Sequence, residues 1–213
     1  VSLLMLSSCG GGQSQPQAAY DEDSTVVNSI TLDQTLYGLC GDGSAMNTLQ
    51  LITDNGDSIT LSVTAAQEAN KVFGGYQVGD RIAVLTNKNR SEATLVINQS
   101  ALLGDWVMPN PIDGSSEIGI SIKEGGIAES IDQSSIIYKT WKIFNGKLEI
   151  LSQRDGGGDD EEINQYEIVL LGPDSLVYKD SEDTFEYTRQ KEAVKRNLHG
   201  LKLEDAEKEF RID

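Results

Sequence analysis

Eight short runs of strand-forming residues follow one another between residues 102 and 189, and this repetition constrains the fold more than any other feature of the sequence. Turn-forming sequences such as Asn145-Gly146 and Gly172-Pro173-Asp174 separate the runs. The runs cover residues 102–108, 117–122, 126–131, 136–144, 147–152, 163–171, 175–179 and 184–189. Because the connections are short, strands that are neighbours in sequence should pair antiparallel. Closing such a meander removes its two exposed edges, so we predict an eight-stranded antiparallel barrel over residues 101–190.

A second β-rich block precedes the barrel at residues 28–98. Residues 49–51 and 59–63 alternate between apolar and polar side chains, as half-buried strands do. The Asn55-Gly56 pair between them is typical of a tight hairpin, and residues 65–70 predict one short helical turn. With two further runs at residues 81–85 and 93–97, the block holds four or five strands. We therefore predict an all-β chain that begins with a small barrel or roll, either OB-like or SH3-like.

Composition excludes several classes of function. The chain has 213 residues with 17 Lys and Arg against 34 Asp and Glu, which gives a formal net charge of −17. Such a surface repels phosphates, so nucleic acid is not an expected partner, and the protein should be a monomer or an accessory subunit. A single histidine, His199, and two cysteines make a transition-metal site improbable, and no cofactor is expected. Cys40 is most simply a small apolar residue of a core.

The first residues of the sequence are typical of an exported protein. The apolar run 1–6 is too short to span a bilayer and is interpreted, with Ser7 and Ser8, as the remnant of a signal peptide over residues 1–8. Residues 9–27 are rich in Gly, Gln, Ser and Ala and predict a flexible tether. The tetrapeptide Leu6-Ser7-Ser8-Cys9 resembles a bacterial lipobox. That resemblance implies cleavage before Cys9, lipid attachment to Cys9, and a lipoprotein bound to the outer membrane of the cell envelope.

A second resemblance concerns the barrel. The sequence Leu103-Gly104-Asp105-Trp106 places a Gly-x-Trp on the first strand, and the last strand ends at Arg189. This arrangement resembles the lipocalin signature, and the wider strand pattern is similar to small lipocalin-like domains of envelope lipoproteins in Gram-negative gut bacteria. The resemblance implies that Trp106 closes one end of the barrel and that Arg189 packs across its indole. A glycine two residues before the tryptophan leaves room for this approach.

Aromatic residues of the barrel are the candidate ligand-binding residues. The set consists of Tyr138, Trp141, Tyr166, Tyr178 and Tyr187, accompanied by Phe185. They could line a pocket for a small apolar molecule or a glycan. They could equally form an ordinary barrel core, because strands favour aromatic residues in any case.

Two other constellations have simpler explanations. The acidic stretch at residues 155–162 could hold Ca²⁺, but it lacks the alternating Asp-x-Asp spacing of dedicated loops and is interpreted as a solvated hairpin connection. For catalysis there is no Gly-x-Ser-x-Gly, and nothing selects a carboxylate pair such as Glu117 and Glu129.

Residues 191–213 predict a short C-terminal helix. We therefore expect a non-enzymatic binding protein or, as the alternative, an accessory subunit of an envelope complex with a plugged barrel.

Overall fold

The structure is a computed structural model that describes residues 32–191, apart from residues 111, 113, 115, 133, 134 and 159. Several predictions lie outside the described residues: the signal-peptide remnant, the lipobox with Cys9, the tether, and the helix expected within residues 191–213. Within the described part, no helix is both long enough and apolar enough to cross a membrane.

The first of two sheets has six strands and a short helix. Its elements are β1 (Leu36–Cys40), β2 (Thr48–Thr53), β3 (Ser58–Ser62), α1 (Thr64–Glu68), β4 (Val72–Phe73), β5 (Arg81–Thr86) and β6 (Ala93–Asn98). The strands lie in the order β3-β2-β1-β5-β6-β4, with β4 parallel to β6 and the other neighbours antiparallel. The β2–β3 hairpin turns at Gly56, whose φ of +86° explains why a glycine follows Asn55.

The first sheet rolls up into a partly open barrel. Ser62 at the end of β3 forms a parallel bridge with Glu92, just before β6, and its amide donates to the Ser91 carbonyl at 2.9 Å. With α1 between β3 and β4, this is the Greek-key arrangement of the OB fold. The prediction of a small barrel is therefore confirmed, and the topology decides for OB-like over SH3-like. Inside, Leu49, Leu51 and Leu61 are fully buried, as their alternation predicts.

The second sheet has eight antiparallel strands and is confirmed as a nearly closed barrel. Its strands are β7 (Gly104–Pro109), β8 (Glu117–Ile122), β9 (Ala128–Ile131), β10 (Ile136–Phe144), β11 (Lys147–Arg154), β12 (Glu161–Leu171), β13 (Ser175–Lys179) and β14 (Thr184–Arg189). They lie in the order β10-β11-β12-β13-β14-β7-β8-β9.

The edge strands β9 and β10 meet at a seam. An isolated bridge joins Ile127 to Thr140. The Ser130 hydroxyl donates to the Ile136 carbonyl at 2.6 Å and accepts the Tyr138 amide at 2.9 Å. A side chain thus supplies contacts that a backbone ladder supplies elsewhere in the barrel.

The two sheets pack together through one shared hydrophobic cluster. A one-turn helix α2 (Gln99–Leu102), capped by the Asn98 side chain on the Ala101 amide at 3.0 Å, connects β6 directly to β7. Phe73, Ala83 and Ile97 of the first sheet lie in the same buried cluster as Trp106 of the barrel. The first sheet therefore forms a wall beside the barrel, and this arrangement creates a groove between them.

Candidate functional site

One end of the barrel is closed by the three residues of the predicted signature. Trp106 is fully buried, and its indole N–H donates to the Leu102 carbonyl at 2.8 Å. The Arg189 guanidinium carbon lies 4.1 Å from the centre of the Trp106 ring, a distance typical of a cation–π contact. The structure therefore brings together the tryptophan and the arginine that the sequence placed 83 positions apart.

Arg189 also connects the end of β14 to the α2 linker and to the β12–β13 turn. Its Nη1 donates to the Leu103 carbonyl at 2.7 Å, its Nη2 to the Ala101 carbonyl at 2.9 Å, and its Nε to the Pro173 carbonyl at 2.6 Å. Gly104 has a φ of +129°, and a Cβ at this position would meet Nη1 of Arg189. A glycine is therefore required both for the backbone conformation and for the space that the guanidinium occupies.

The four predicted tyrosines meet inside the barrel. The rings of Tyr166 and Tyr178 have centroids 4.8 Å apart, and those of Tyr178 and Tyr187 stack at 5.3 Å. The Tyr178 hydroxyl lies 3.0 Å from the Tyr187 hydroxyl. Phe185 contacts Tyr166 edge-on at 5.7 Å. Tyr138 packs against the same hydrophobic cluster from β10.

Burial sets the protonation state of this tyrosine cluster. Removal from water disfavours the phenolate, so burial raises the pKa of Tyr166 to about 12 and raises the pKa of Tyr178 well above its ordinary value. Burial likewise raises the pKa values of Tyr138 and Tyr187. The cluster is therefore neutral at any physiological pH and supplies hydroxyl groups rather than charge.

Trp141 is also a buried residue. Only 7% of its surface is exposed, and its indole N–H donates to the Lys123 carbonyl at 2.8 Å. Together with the tyrosine cluster and Trp106, it fills the interior of the barrel with the barrel's own side chains. An eight-stranded barrel has room for either its side chains or one small ligand.

The groove between the barrel and the first sheet is a cavity of about 1040 Å³. On the barrel side the groove is bordered by residues of β10, β11 and β12 and by the turn Glu124–Gly126. On the other side it is bordered by Asp33, β1, the β2–β3 turn, the start of β5 and the α2 linker. The volume is close to the upper end of the ~300–1,000 Å³ that small-molecule pockets occupy. Trp141 borders this groove, whereas Tyr166, Tyr178 and Tyr187 do not.

Both walls of the groove carry ion pairs. On the first sheet, Arg81 forms a forked contact with Asp54, with N–O distances of 2.5 and 2.6 Å. On the barrel, Lys142 pairs with Glu149 at 2.9 Å across the β10–β11 ladder. Gln99 lies at the linker side, and its Oε1 is buried without a hydrogen-bond partner among the described residues.

At one end of the groove, the chain before β1 binds the β10–β11 turn. The Asp33 carboxylate accepts the Asn145 amide at 2.9 Å and lies 2.5 Å from the Tyr37 hydroxyl, which also contacts the Ile143 carbonyl. Burial raises the pKa of Asp33, but hydrogen bonds from Tyr37, Asn145 and Thr35 outweigh this effect and hold the pKa below its ordinary value. Asp33 is therefore a carboxylate that is already supplied with donors.

An apolar row crosses the barrel wall of the groove. Thr140, Leu151 and Ile163 are direct partners on β10, β11 and β12, so their side chains share the outer face. Ile163 is 64% exposed. Leu103 of the linker adds a further apolar side chain to the lining. The groove thus combines aliphatic surface with paired polar groups.

Two smaller cavities are also present among the described residues. One of about 710 Å³ lies at the β9–β10 seam and is bordered by Tyr138 and by acidic residues such as Glu129 and Asp155. One of about 400 Å³ lies on the first sheet beside Cys40, which is buried. Among the described residues, no group of three His, Cys, Asp or Glu side chains is placed to hold a metal ion.

The groove residues carry no local sequence signal. Arg81 and Asp54 are 27 positions apart, and Asn145 lies 112 positions from Asp33. Asn145 belongs to a turn sequence, but no motif pairs any of these residues across the groove, so the sequence predicted the barrel signature and not the groove. A search for isolated basic residues at strand starts would find Arg81, but nothing in the sequence pairs it with the barrel.

The comparison with known protein families agrees with the geometry of the barrel. Residues 98–190 match the model of the lipocalin-like family. These residues therefore form a lipocalin-like domain. Among solved structures, the chain is similar to a lipocalin-like protein from Bacteroides thetaiotaomicron, with 32% identity over 42% of this chain and 97% of that one and a TM-score of 0.39. No curated protein matches the chain.

Proposed function

We propose that the protein is a non-enzymatic binding protein of the bacterial cell envelope that takes a small ligand in the groove beside its barrel. One contrast carries this proposal. The barrel interior is filled by Trp106, Trp141 and the tyrosine cluster, whereas the groove keeps about 1040 Å³ free beside it. Lipocalin-like folds are binding folds, and in this chain the available space lies outside the barrel.

A membrane anchor through Cys9 is the second part of the proposal. The apolar run, the small pair Ser7-Ser8, Cys9 and the following tract of small polar residues occur in the order of a lipoprotein signal. An outer-membrane lipid anchor would hold the groove close to the envelope surface while the tether separates it from the bilayer.

The anchor is tested by Cys9→Ser in cells that express the precursor with its complete signal sequence. We expect the protein to leave the membrane fraction because the thiol that carries the lipid is missing. Cys40→Ser is the matched control, since Cys40 is buried in the first sheet and should not affect membrane attachment. A Cys9→Ser protein that stays with the membrane contradicts the anchor.

The binding site is tested with the full chain in a thermal-shift screen of fatty acids and short oligosaccharides. Thr140→Trp fills the groove from the exposed outer face of β10 and should abolish the shift given by a binding compound. Thr184→Trp is the control, because Thr184 is exposed at the start of β14 and does not line the groove.

Two results would overturn the proposal. Binding that survives Thr140→Trp would place the ligand elsewhere. The absence of any binding compound in the screen would favour the alternative function, an accessory subunit whose barrel is structural.

A further inference from the structure

We infer that the groove recognises a neutral carbohydrate, a short oligosaccharide with vicinal hydroxyl groups; this inference rests on the proposed function. It specifies the class of ligand and the residues that select it. Charge, hydrogen-bonding capacity, apolar surface and size of the groove each contribute to the argument.

The charge of the groove argues against an anionic ligand. Its lining contains four carboxylates, Asp33, Asp54, Glu124 and Glu149, and two cations, Arg81 and Lys142. An anionic ligand would meet a net negative surface. Both cations are already paired with a carboxylate, so an anionic ligand would also have to displace an existing partner.

The pairs still have hydrogen-bonding capacity for hydroxyl groups. A carboxylate has about four lone-pair positions and a guanidinium about five N–H donors, so the fork between Arg81 and Asp54 uses only part of each. Planar groups of this kind can contact two neighbouring hydroxyls at once. Glu149, with 12% of its side chain exposed, offers a second carboxylate on the opposite wall.

Gln99 adds a specific reason for a ligand that donates hydrogen bonds. Its Oε1 is buried with no partner among the described residues, which is an unfavourable state for a polar atom. Gln99 borders the groove, so a rotation of its amide would let Oε1 accept a hydroxyl of a bound sugar.

The aliphatic side chains that line the groove favour a ligand with an apolar face. The ion pairs argue against a ligand that is entirely apolar. Leu103, Leu151 and Ile163 can cover the C–H face of a sugar ring. A fatty acyl chain in the same place would remove water from the ion pairs without replacing its hydrogen bonds. A carbohydrate satisfies both kinds of lining, and the groove volume admits more than one ring.

The inference is tested by isothermal titration of the full chain with four probes: neutral hexose oligosaccharides of several linkages, a sulfated oligosaccharide, a chitosan oligomer and a fatty acid. We expect binding of one or more neutral oligosaccharides, with an affinity that changes little between low and high salt. Arg81→Gln and Gln99→Leu should each weaken this binding about tenfold or more, the factor expected for one lost hydrogen bond of roughly 1.4 kcal/mol.

Lys139→Gln is the matched control for Arg81→Gln. Lys139 forms an ion pair with Glu161 at 2.6 Å on the barrel surface and does not line the groove, so its loss should leave the affinity unchanged. Equal affinities in Arg81→Gln and Lys139→Gln would overturn the inference. A preference for the sulfated, cationic or fatty-acid probe that Thr140→Trp abolishes would overturn it too, while leaving the groove as the binding site. Failure of all four probes would count against the groove itself.

Discussion

The guanidinium of Arg189 lies over the ring of Trp106, with its carbon 4.1 Å from the ring centre, and donates hydrogen bonds to the carbonyls of Ala101, Leu103 and Pro173. One side chain therefore connects the α2 linker, β7 and the β12–β13 turn at the closed end of the barrel. Because the contact joins the two ends of the lipocalin-like segment, it should matter for the stability of the whole barrel.

Arg189→Lys tests this contact without removing the charge. A lysine ammonium cannot reproduce the three hydrogen bonds that the planar guanidinium donates to the carbonyls. Each lost hydrogen bond to a charged group is worth about 1.5–3 kcal/mol, so we expect the free energy of unfolding to fall by roughly 2–4 kcal/mol. Chemical denaturation measures the change. Arg154→Lys, at an exposed strand end, should change stability by less than about 0.5 kcal/mol. Equal effects of the two substitutions would contradict the role of Arg189.

Gly104→Ala tests the space that the guanidinium occupies. The new methyl group would meet Arg189 Nη1 on a backbone with a φ of +129°, so we expect a destabilisation of about 1–3 kcal/mol. Gly56→Ala provides the comparison, because Gly56 also has a positive φ but has open space at its Cβ position. The two melting temperatures separate backbone strain from the clash, and Gly104→Ala should be the lower. A milder effect at Gly104 than at Gly56 would refute the clash.

The buried tyrosines predict a loss of stability at alkaline pH. In the unfolded chain the phenols ionise near pH 10, whereas burial keeps those of Tyr138, Tyr166, Tyr178 and Tyr187 protonated in the folded state. Their contribution to stability is therefore complete below about pH 10 and falls as the pH rises further, because only the unfolded state releases the protons. Denaturant titrations at increasing pH, together with tyrosinate absorbance, check this. Complete ionisation of all tyrosines near pH 10 in the folded protein would disprove it.

The stability of the fold at acidic pH depends in part on Asp33, whose pKa is held below its ordinary value by hydrogen bonds from Tyr37, Asn145 and Thr35. Its contribution is present above about pH 3.9, the unperturbed value, and is lost as the pH falls through the lower folded value. We expect Asp33→Asn to remove part of the acid sensitivity and to increase hydrogen exchange at the Asn145 amide. Asp57→Asn is the control, because Asp57 is exposed and does not line the groove. Unchanged exchange at Asn145 would show that the contact is unimportant.

Local sequence patterns predicted most of the barrel. The strands β8, β10, β13 and β14 begin and end at the predicted residues, because alternation and turn chemistry act over a few neighbouring positions. The first strand, Leu36–Cys40, was not predicted. It contains Gly38, which weakens a strand signal, yet a Cβ there would clash with the Ile52 backbone of the neighbouring strand. Close packing between strands, rather than local propensity, explains that glycine.

The sequence by itself determined the eight-stranded meander and the small barrel before it, because both follow from short-range alternation and turn residues. Its resemblance to lipocalins pointed to Gly104, Trp106 and Arg189. Only the tertiary structure decided that the aromatic residues fill the barrel and that a groove lies beside it. That outcome depends on contacts between residues far apart in sequence, such as Asp33 with Asn145 and Arg81 with Asp54, and on the packing of two sheets around one shared core. Such contacts arise from the complementarity of whole surfaces, which no short segment of the chain encodes.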